Sequence, residues 1–353
     1  MEKYKVIGVM SGSSHDGVDI AYCEFTHKKG KWKFKVPYSI SYEYSVSWKN
    51  KLLNVYGASA HELAKTDNEY GMFLGKILSI FIRKSKLKPD FIASHGHTIF
   101  HNPKNHFSKQ IGKGAPIASL TRLPVINDFR SSDMAKGGQG APLVPVGDKL
   151  LFGEYDFCLN LGGIANISFD DYDGKRVAFD IAPCNMALNY LVSSFNKTFD
   201  DKGNIASKGN IDISLLEKLN SLDFYWVGGS KSLGREWFEQ NIIPILSNSH
   251  TSPQDKLTTF TEHIAYQIGK IVAQYPGQSL LITGGGTYNS YLLERIKEAV
   301  TPEIHIPEHT IIDFKEAVVF AFLGVLRKRN EVNVLRSVTG ASGDSIAGAI
   351  WVP

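Results

Sequence analysis

The 353 residues of this chain predict an α/β fold of two lobes around a central cleft. Three observations carry that prediction. Strand-like and helix-like patterns alternate along the whole length. Two distant segments, residues 6–22 and 157–169, share one form: an apolar strand, a turn of small residues, a second apolar strand. No Pro- or Ser-rich linker separates the halves they open, so the lobes are expected to pack face to face. The repeat is one of topology rather than of letters.

The first meander begins with an apolar strand over residues 6–10, passes through Ser11, Gly12, Ser13, Ser14 and Gly17, and leaves on a strand over 18–22. Its tip holds more small and polar residues than a tight hairpin needs. Such a tip can turn backbone N–H groups and hydroxyls toward one point, which is the chemistry that holds phosphate oxygens. Taken alone, a plain turn is the alternative. The P-loop pattern, with Lys-Ser or Lys-Thr after its last glycine, occurs nowhere in the chain.

A third strand is expected over 32–42, where charged and apolar residues alternate. Residues 61–85 carry Leu63, Tyr70, Phe73, Leu74, Ile77, Leu78 and Phe81 at helical spacing. Short apolar strands follow at 90–94, ending in His95-Gly96, and at 123–126, ending in Asn127-Asp128. In the second half the strand pair of 157–169 turns at Gly162-Gly163. A turn at 170–174 leads to a strand over 176–180, and a helix begins at about Cys184. A long helix at 253–274 precedes a strand at 279–283, the turn Gly284-Gly285-Gly286-Thr287 and a helix from Asn289. A glycine turn between strand and helix lets backbone approach a ligand closely; a helix-capping turn fits the letters equally well.

Composition narrows the function classes. At 43% hydrophobic and 21% charged residues this is an ordinary globular protein. A net charge of +4 with scattered Lys and Arg argues against nucleic acid as a partner. Three cysteines, Cys23, Cys158 and Cys184, without CxxC spacing predict no disulfide framework. The chain enters a strand at once, with no basic-then-apolar leader, and is expected in the cytoplasm. The longest apolar run, residues 317–326, is too short to span a bilayer and predicts a buried helix, so no membrane partner is expected.

Two lobes that each point a glycine hairpin at a shared cleft resemble the duplicated actin-like, ribonuclease H-like fold of the sugar kinase, Hsp70 and actin superfamily. That resemblance implies hairpins gripping phosphates from both sides and a third glycine turn at the nucleoside. A narrower resemblance rests on particular motifs. These are Gly8-Val-Met-Ser-Gly-Ser-Ser-His-Asp-Gly-Val-Asp19, Ser94-His-Gly-His-Thr98, Asn127-Asp-Phe-Arg130, Gly137-Gly-Gln-Gly-Ala-Pro-Leu-Val-Pro145, Asn160-Leu-Gly-Gly-Ile-Ala-Asn166, Phe179-Asp180 with Pro183 and Asn185, Thr283-Gly-Gly-Gly286 and Lys315-Glu-Ala317. In this order, over essentially the whole chain, they resemble the bacterial anhydro-N-acetylmuramic acid kinases. Four positions in three segments depart from that family's pattern: Ser13 stands for its threonine, His97 for its glutamine, and Ala182 and Cys184 for two glycines after Asp180.

The resemblance implies a kinase that opens the 1,6-anhydro bridge of anhydro-N-acetylmuramic acid with water and moves the ATP γ-phosphoryl to O6. The products are N-acetylmuramic acid 6-phosphate and ADP, in peptidoglycan recycling. A related hexose or polyphosphate phosphotransferase, and a nucleotide-dependent sugar sensor without turnover, are the alternatives. One base must activate the water, and Asp180 matches that position; a strand-end Asp before a helix is otherwise a common N-cap. Gly12, Ser13, Ser14, His15, Asp16, Gly17, Val18 and Asp19 are the expected phosphate loop. Gly162, Gly163, Gly284, Gly285 and Gly286 are expected at the nucleotide from the second lobe.

Asp16 is the candidate for reaching Mg²⁺ through water, since a hard cation prefers oxygen; Asp16-Gly17 also suits a turn. His95, His97, Arg130, Gln139, Asn185 and Glu316 are the sugar-side candidates. A guanidinium suits the lactyl carboxylate, although a surface ion pair is the alternative for Arg130. Glu316 can touch sugar or cap its helix. Zinc at His95, His97 and His101 is disfavoured because no cysteine or carboxylate completes a set. The expected first lobe is 1–128 plus a C-terminal helix at about 338–353, and the second is 129–337. A homodimer is what the family implies.

Overall fold

The computed structural model describes residues 1–12, 16–228 and 231–353. The chain forms two compact units, one of residues 1–151 with 314–353 and one of residues 152–313. In order along the chain the strands are β1 (Glu2–Ser11), β2 (Gly17–Lys28), β3 (Lys31–Glu43), β4 (Phe91–Asn102), β5 (Phe107–Ile111), β6 (Val125–Asn127), β7 (Phe157–Leu161), β8 (Ile164–Asp170), β9 (Arg176–Pro183), β10 (Ser279–Thr283), β11 (Glu303–His305) and β12 (Ala349–Trp351).

The first unit's sheet runs β12-β6-β4-β1-β2-β3, with β5 paired to β4; the second unit's runs β11-β10-β7-β8-β9. In each, an antiparallel meander (β1-β2-β3 or β7-β8-β9) is extended by two parallel strands added beside its first member. With β5 and β12 left aside and the rest numbered within each unit, both sheets have the order 3-2-1-4-5. This is the ribonuclease H-like sheet, and its double occurrence is the duplication expected from the two glycine meanders.

Parallel neighbours need a crossover, and helices supply it. Helix Ala60–Ser85 lies between β3 and β4; helix Pro253–Val272 precedes β10, and helix Ser290–Ala299 lies between β10 and β11. The first begins with a capping box, Ser59 and Glu62, in which the Ser59 hydroxyl accepts from Glu62 N. It buries Tyr70, Leu74, Leu78 and Phe81 against Ile7, Val9, Ile20 and Ile92 of the sheet. In the second unit Phe260, Ile264 and Ile268 of helix Pro253–Val272 join Leu159, Ile167, Leu280 and Ile282.

The apolar run 317–326 lies within helix His309–Lys328 and is buried throughout, with the small side chain of Ala93 facing Gly324. Gly8 is required by this packing, because any Cβ there would overlap the Ala317 carbonyl oxygen. Among the described residues no helix is long and apolar enough to cross a membrane.

The C-terminus departs from expectation. Instead of a helix at 338–353, a short helix, Arg336–Thr339, ends at Gly340 with φ 76°, and β12 pairs antiparallel with β6. Glycines at 340, 343 and 348 interrupt any helix, and Trp351 Nε1 donates to Asn127 Oδ1 at 2.9 Å. Residues 129–151 and 314–337 pack with the first unit rather than the second, so the boundaries fall at 151 and 314 and not at 128 and 337.

Candidate active site

In the second unit three expected segments converge. Cys184 N and Met186 N donate to Gly163 O (2.9 and 3.1 Å), and Asn185 N donates to Gly162 O (3.1 Å). The Asn185 amide also donates to Leu161 O at 3.1 Å. These bonds fix helix Asn185–Val192 against the β7–β8 hairpin tip.

The glycine turn after β10 closes on the same place. Gly284 has φ 86° and ψ 163°, a conformation left essentially to glycine. A Cβ on it would meet Asn160 Oδ1 at 2.6 Å, and one on Gly286 would meet Leu161 Cβ at 2.6 Å. Gly163 and Gly285 are different: a Cβ would meet nothing within 4 Å at the first and only Asn185 Nδ2 at 3.8 Å at the second. The crowded glycines let the two turns approach each other, and the open ones leave bare backbone where a ligand can come close.

Asp180 lies on β9, the outer strand of this sheet. Its carboxylate Oδ2 accepts from Leu233 N at 2.7 Å, and its own N–H donates to Lys231 O at 3.0 Å. It caps no helix; the helix after it starts at Asn185 with Cys184 as the residue before. Burial pushes the carboxyl up to about 6, and the Leu233 bond holds it back from rising further.

Ala182 and Cys184, which stand for family glycines, are fully buried in the core of this unit. Cys184 has φ −119°, so no left-handed backbone is lost there. Burial pushes its thiol up to about 12, which keeps it protonated and unreactive.

In the first unit the sugar-side candidates split. Arg130 donates through one terminal nitrogen to Gly140 O (2.7 Å) and through the other to His95 Nε2 (2.8 Å). It makes no surface ion pair, and its Nε is buried without a partner among the described residues. Burial lowers its pKa to about 10, which leaves it charged at neutral pH. His95 is held down to about 3 by burial first and then by the Arg130 charge. A neutral His95 accepting at Nε2 carries its proton on Nδ1, which donates to Gly96 O at 2.9 Å.

Gln139 is exposed on the loop that Gly140 closes. Asp133, which the letters did not single out, organises that loop: one oxygen accepts from Gly140 N (2.8 Å) and the other from Thr339 Oγ1 (2.7 Å). Its place three residues after Arg130 carries no signal until the loop is folded.

Glu316 lies in the interior of helix His309–Lys328, beyond any capping position. Next to it Lys315 is buried and pairs with Asp148 at 2.8 Å. Glu316 itself is reached by water yet crowded by protein, and that crowding raises its carboxyl. Asp19 adds to the rise, while Lys315 and Arg130 oppose it.

His97 is in the interior instead. Its Nδ1 lies 2.9 Å from Ser11 Oγ, which contacts Tyr44 OH (2.6 Å), which contacts Tyr70 OH (2.5 Å). Around the expected phosphate loop, Val18 is core, and Gly17 is required because a Cβ would overlap the Tyr42 carbonyl oxygen. Asp19 accepts from Ser41 Oγ at 2.5 Å. Gly12 and Asp16 flank the tip; the candidates Ser13, Ser14 and His15 lie outside the described residues. Among the described residues no group of three or more His, Cys, Asp or Glu could hold a metal ion. His101 instead lies 3.3 Å from Ser108 Oγ.

A duplicated ribonuclease H-like sheet with glycine turns, a guanidinium and an isolated raised carboxyl defines the class of phosphotransferases built on the sugar kinase fold. Within it, the chain belongs to the anhydro-N-acetylmuramic acid kinase family, whose sequence profile, described as "Anhydro-N-acetylmuramic acid kinase", matches residues 4–353. The chain is 33% identical over 367 residues to the protein of that name from Sulfurovum sp. (strain NBC37-1), covering 100% of both. It is 33% identical to that of Pseudomonas syringae pv. syringae (strain B728a), covering 98% of both. It is also 33% identical to that of Coxiella burnetii (strain Dugway 5J108-111), covering 99% of this chain and 98% of that one. Among solved structures, the activator of 2-hydroxyisocaproyl-CoA dehydratase from Clostridium difficile with bound ADPNP is similar at 13% identity and a TM-score of 0.46, over 93% of this chain and 98% of that one.

Proposed function

We propose that this chain is an ATP-dependent kinase that hydrolyses the 1,6-anhydro bond of 1,6-anhydro-N-acetylmuramic acid and phosphorylates O6. N-acetylmuramic acid 6-phosphate and ADP are released, as cell-wall recycling requires. The observation that carries the mechanism is Asp180, a half-buried carboxyl raised to about 6 with a single hydrogen bond among the described residues. At neutral pH it is ionised, and as a base near the working pH it is well matched to taking a proton from water. Water attacks the anomeric carbon, the bond from that carbon to the bridging oxygen breaks, and the oxygen joins the γ-phosphorus as ADP leaves. One carboxylate suffices, because phosphorus rather than a proton captures the departing oxygen.

Gly162, Gly163 and Gly284 to Gly286 would hold ATP from the second unit, where the open Cβ positions of Gly163 and Gly285 admit a close ligand. Gly12 to Asp19 would hold its phosphates from the first. His95, Arg130 and Glu316 would orient the sugar, with the Arg130 charge suited to its lactyl carboxylate. Asp16 has an exposed carboxylate that takes no protein hydrogen bond among the described residues, which suits a hard cation such as Mg²⁺ reached through water. When bound, such an ion neutralises charge on the phosphate oxygens. The core positions of Ala182 and Cys184 remove the main reason to favour a sensor without turnover.

Incubation with ATP and the anhydro-sugar in ¹⁸O-labelled water tests this by mass spectrometry. The expected product is the 6-phosphate with label at O1 and none in the phosphate. Label in the phosphate would mean ATP hydrolysis and a different opening of the bridge.

A further inference from the structure

The segment from Lys231 to Gly234 has no part in the motifs that identify the family members above, yet it meets Asp180 twice. β9 is the outer strand of its sheet, so one row of its backbone groups faces away from β8. Asp180 N uses that outer side to donate to Lys231 O at 3.0 Å. In a regular strand pair the next N–H would donate to a β9 backbone carbonyl. Here the Asp180 carboxylate takes that acceptor role, and Leu233 N donates to Oδ2 at 2.7 Å. Among the described residues this is the carboxylate's one donor, so Oδ1 has no competing partner among them.

We propose that residues 231–234 form a positioning strap for the catalytic carboxylate: the Leu233 N–H holds Oδ2 and leaves Oδ1 to receive the proton of the attacking water. This rests on Asp180 being the base. The strap has two consequences. It fixes the carboxylate's rotation about its Cβ–Cγ bond, so that one oxygen is aimed while the other is tied. It also stabilises the ionised form by a charge-assisted bond in a site where burial works against ionisation.

Charged neighbours do not compete for this role. Lys231 turns its ammonium to Phe224 O at 2.9 Å and lies over the Phe224 ring. Lys270, which faces Lys231, is engaged with Tyr225 O and the Trp226 ring. Arg176, at the start of β9, pairs with Asp170. Cys184, close beyond the end of β9, is protonated. Burial and the Leu233 bond are thus the two influences on Asp180.

Leu233→Pro deletes the donor, and Leu233→Ala keeps it while removing the side chain. In the proline variant the acid limb of the kcat/KM profile is expected to move up by roughly one pH unit, with kcat at the plateau falling about tenfold and sugar KM little changed. The alanine variant should keep the wild-type limb. A wild-type measurement guards against a misfolded variant. The Leu233 amide proton, followed by NMR, should shift with an apparent midpoint near the carboxyl's value of about 6, and should lose that titration in Asp180→Asn. A Leu233 amide that does not titrate in the wild type, or an unmoved acid limb in a folded proline variant, overturns the strap. Near-wild-type activity of Asp180→Asn overturns the base assignment instead, so the two failures are distinguishable.

Discussion

The two units share a sheet order and treat their polar side chains in opposite ways. In the first unit they are tied to one another: His95 to Arg130, Arg130 to the Gly140 carbonyl, His97 to Ser11 and on to Tyr44 and Tyr70. In the second, Asp180 has one backbone donor. A networked group is held in place and in one protonation state, which suits recognition of a substrate. An isolated, partly desolvated carboxyl has a pKa free to rise toward neutrality, which suits proton transfer. Duplication supplied the same scaffold twice, and the environment at each copy assigns the task.

The harshest way to break this comparison is Asp180→Asn. It keeps shape and an acceptor for Leu233 N but removes proton acceptance. We expect kcat to fall by ~10²–10⁴-fold with sugar binding largely retained. Stability should move the other way. The folded carboxyl titrates near 6 against an ordinary value of 3.8, so the native state binds more protons than the unfolded one between those values. Wild-type stability therefore declines as pH rises through that window and stays lower above it. Asparagine removes the penalty, so the variant should be more stable above about pH 6, by up to ~2 kcal/mol, and this advantage should vanish below about pH 4. Denaturant melts at pH 4 and pH 8 check it. A variant less stable at both would mean that Asp180 is structural.

The glycines of the second unit sharpen the contrast between holding the fold and holding a ligand. Gly284→Ala forces a Cβ into a glycine-only conformation and against Asn160 Oδ1. It should lower Tm by roughly 5–10 °C, with nucleotide and sugar binding both suffering. Gly163→Ala meets no atom within 4 Å and should leave Tm unchanged. If phosphates close on that backbone, its KM for ATP should still rise about tenfold while sugar KM holds. Unchanged ATP kinetics in Gly163→Ala would remove this tip from the nucleotide site.

Much of this scaffold was legible because its signals are periodic. Helix 60–85, strand 279–283 and both meanders follow from apolar spacing and glycine placement. The short pieces were not: β5, β12 and helix Val46–Asn54 are held by tertiary partners such as Trp351 on Asn127 rather than by their own pattern. At the site, motif letters pointed to Asp180, Arg130 and the glycines. They could not show that Leu233 and Asp133 organise the first two, because a backbone N–H and a buried loop carboxylate leave no mark in composition. Nor could they give the direction of His97. β4 is buried on both faces over its first seven residues, and Gly96, with φ 75°, breaks the regular alternation there.

His97 supplies the mildest test of the comparison. The family carries glutamine where this chain has His97, and both side chains can exchange a hydrogen bond with Ser11 Oγ. His97→Gln should therefore keep kcat/KM within about threefold and shift stability by no more than about 1 kcal/mol. His97→Leu removes that bond from a buried chain that continues to Tyr44 and Tyr70. It should cost about 1–3 kcal/mol in denaturant unfolding while activity per folded molecule stays close to wild type. The order matters: a residue that supports the base of the β1–β2 hairpin from inside loses stability before it loses binding. If His97→Gln instead raised the sugar KM more than tenfold in a fully folded protein, His97 would be a substrate contact. The first unit's polar network would then reach the substrate through two histidines rather than through His95 alone.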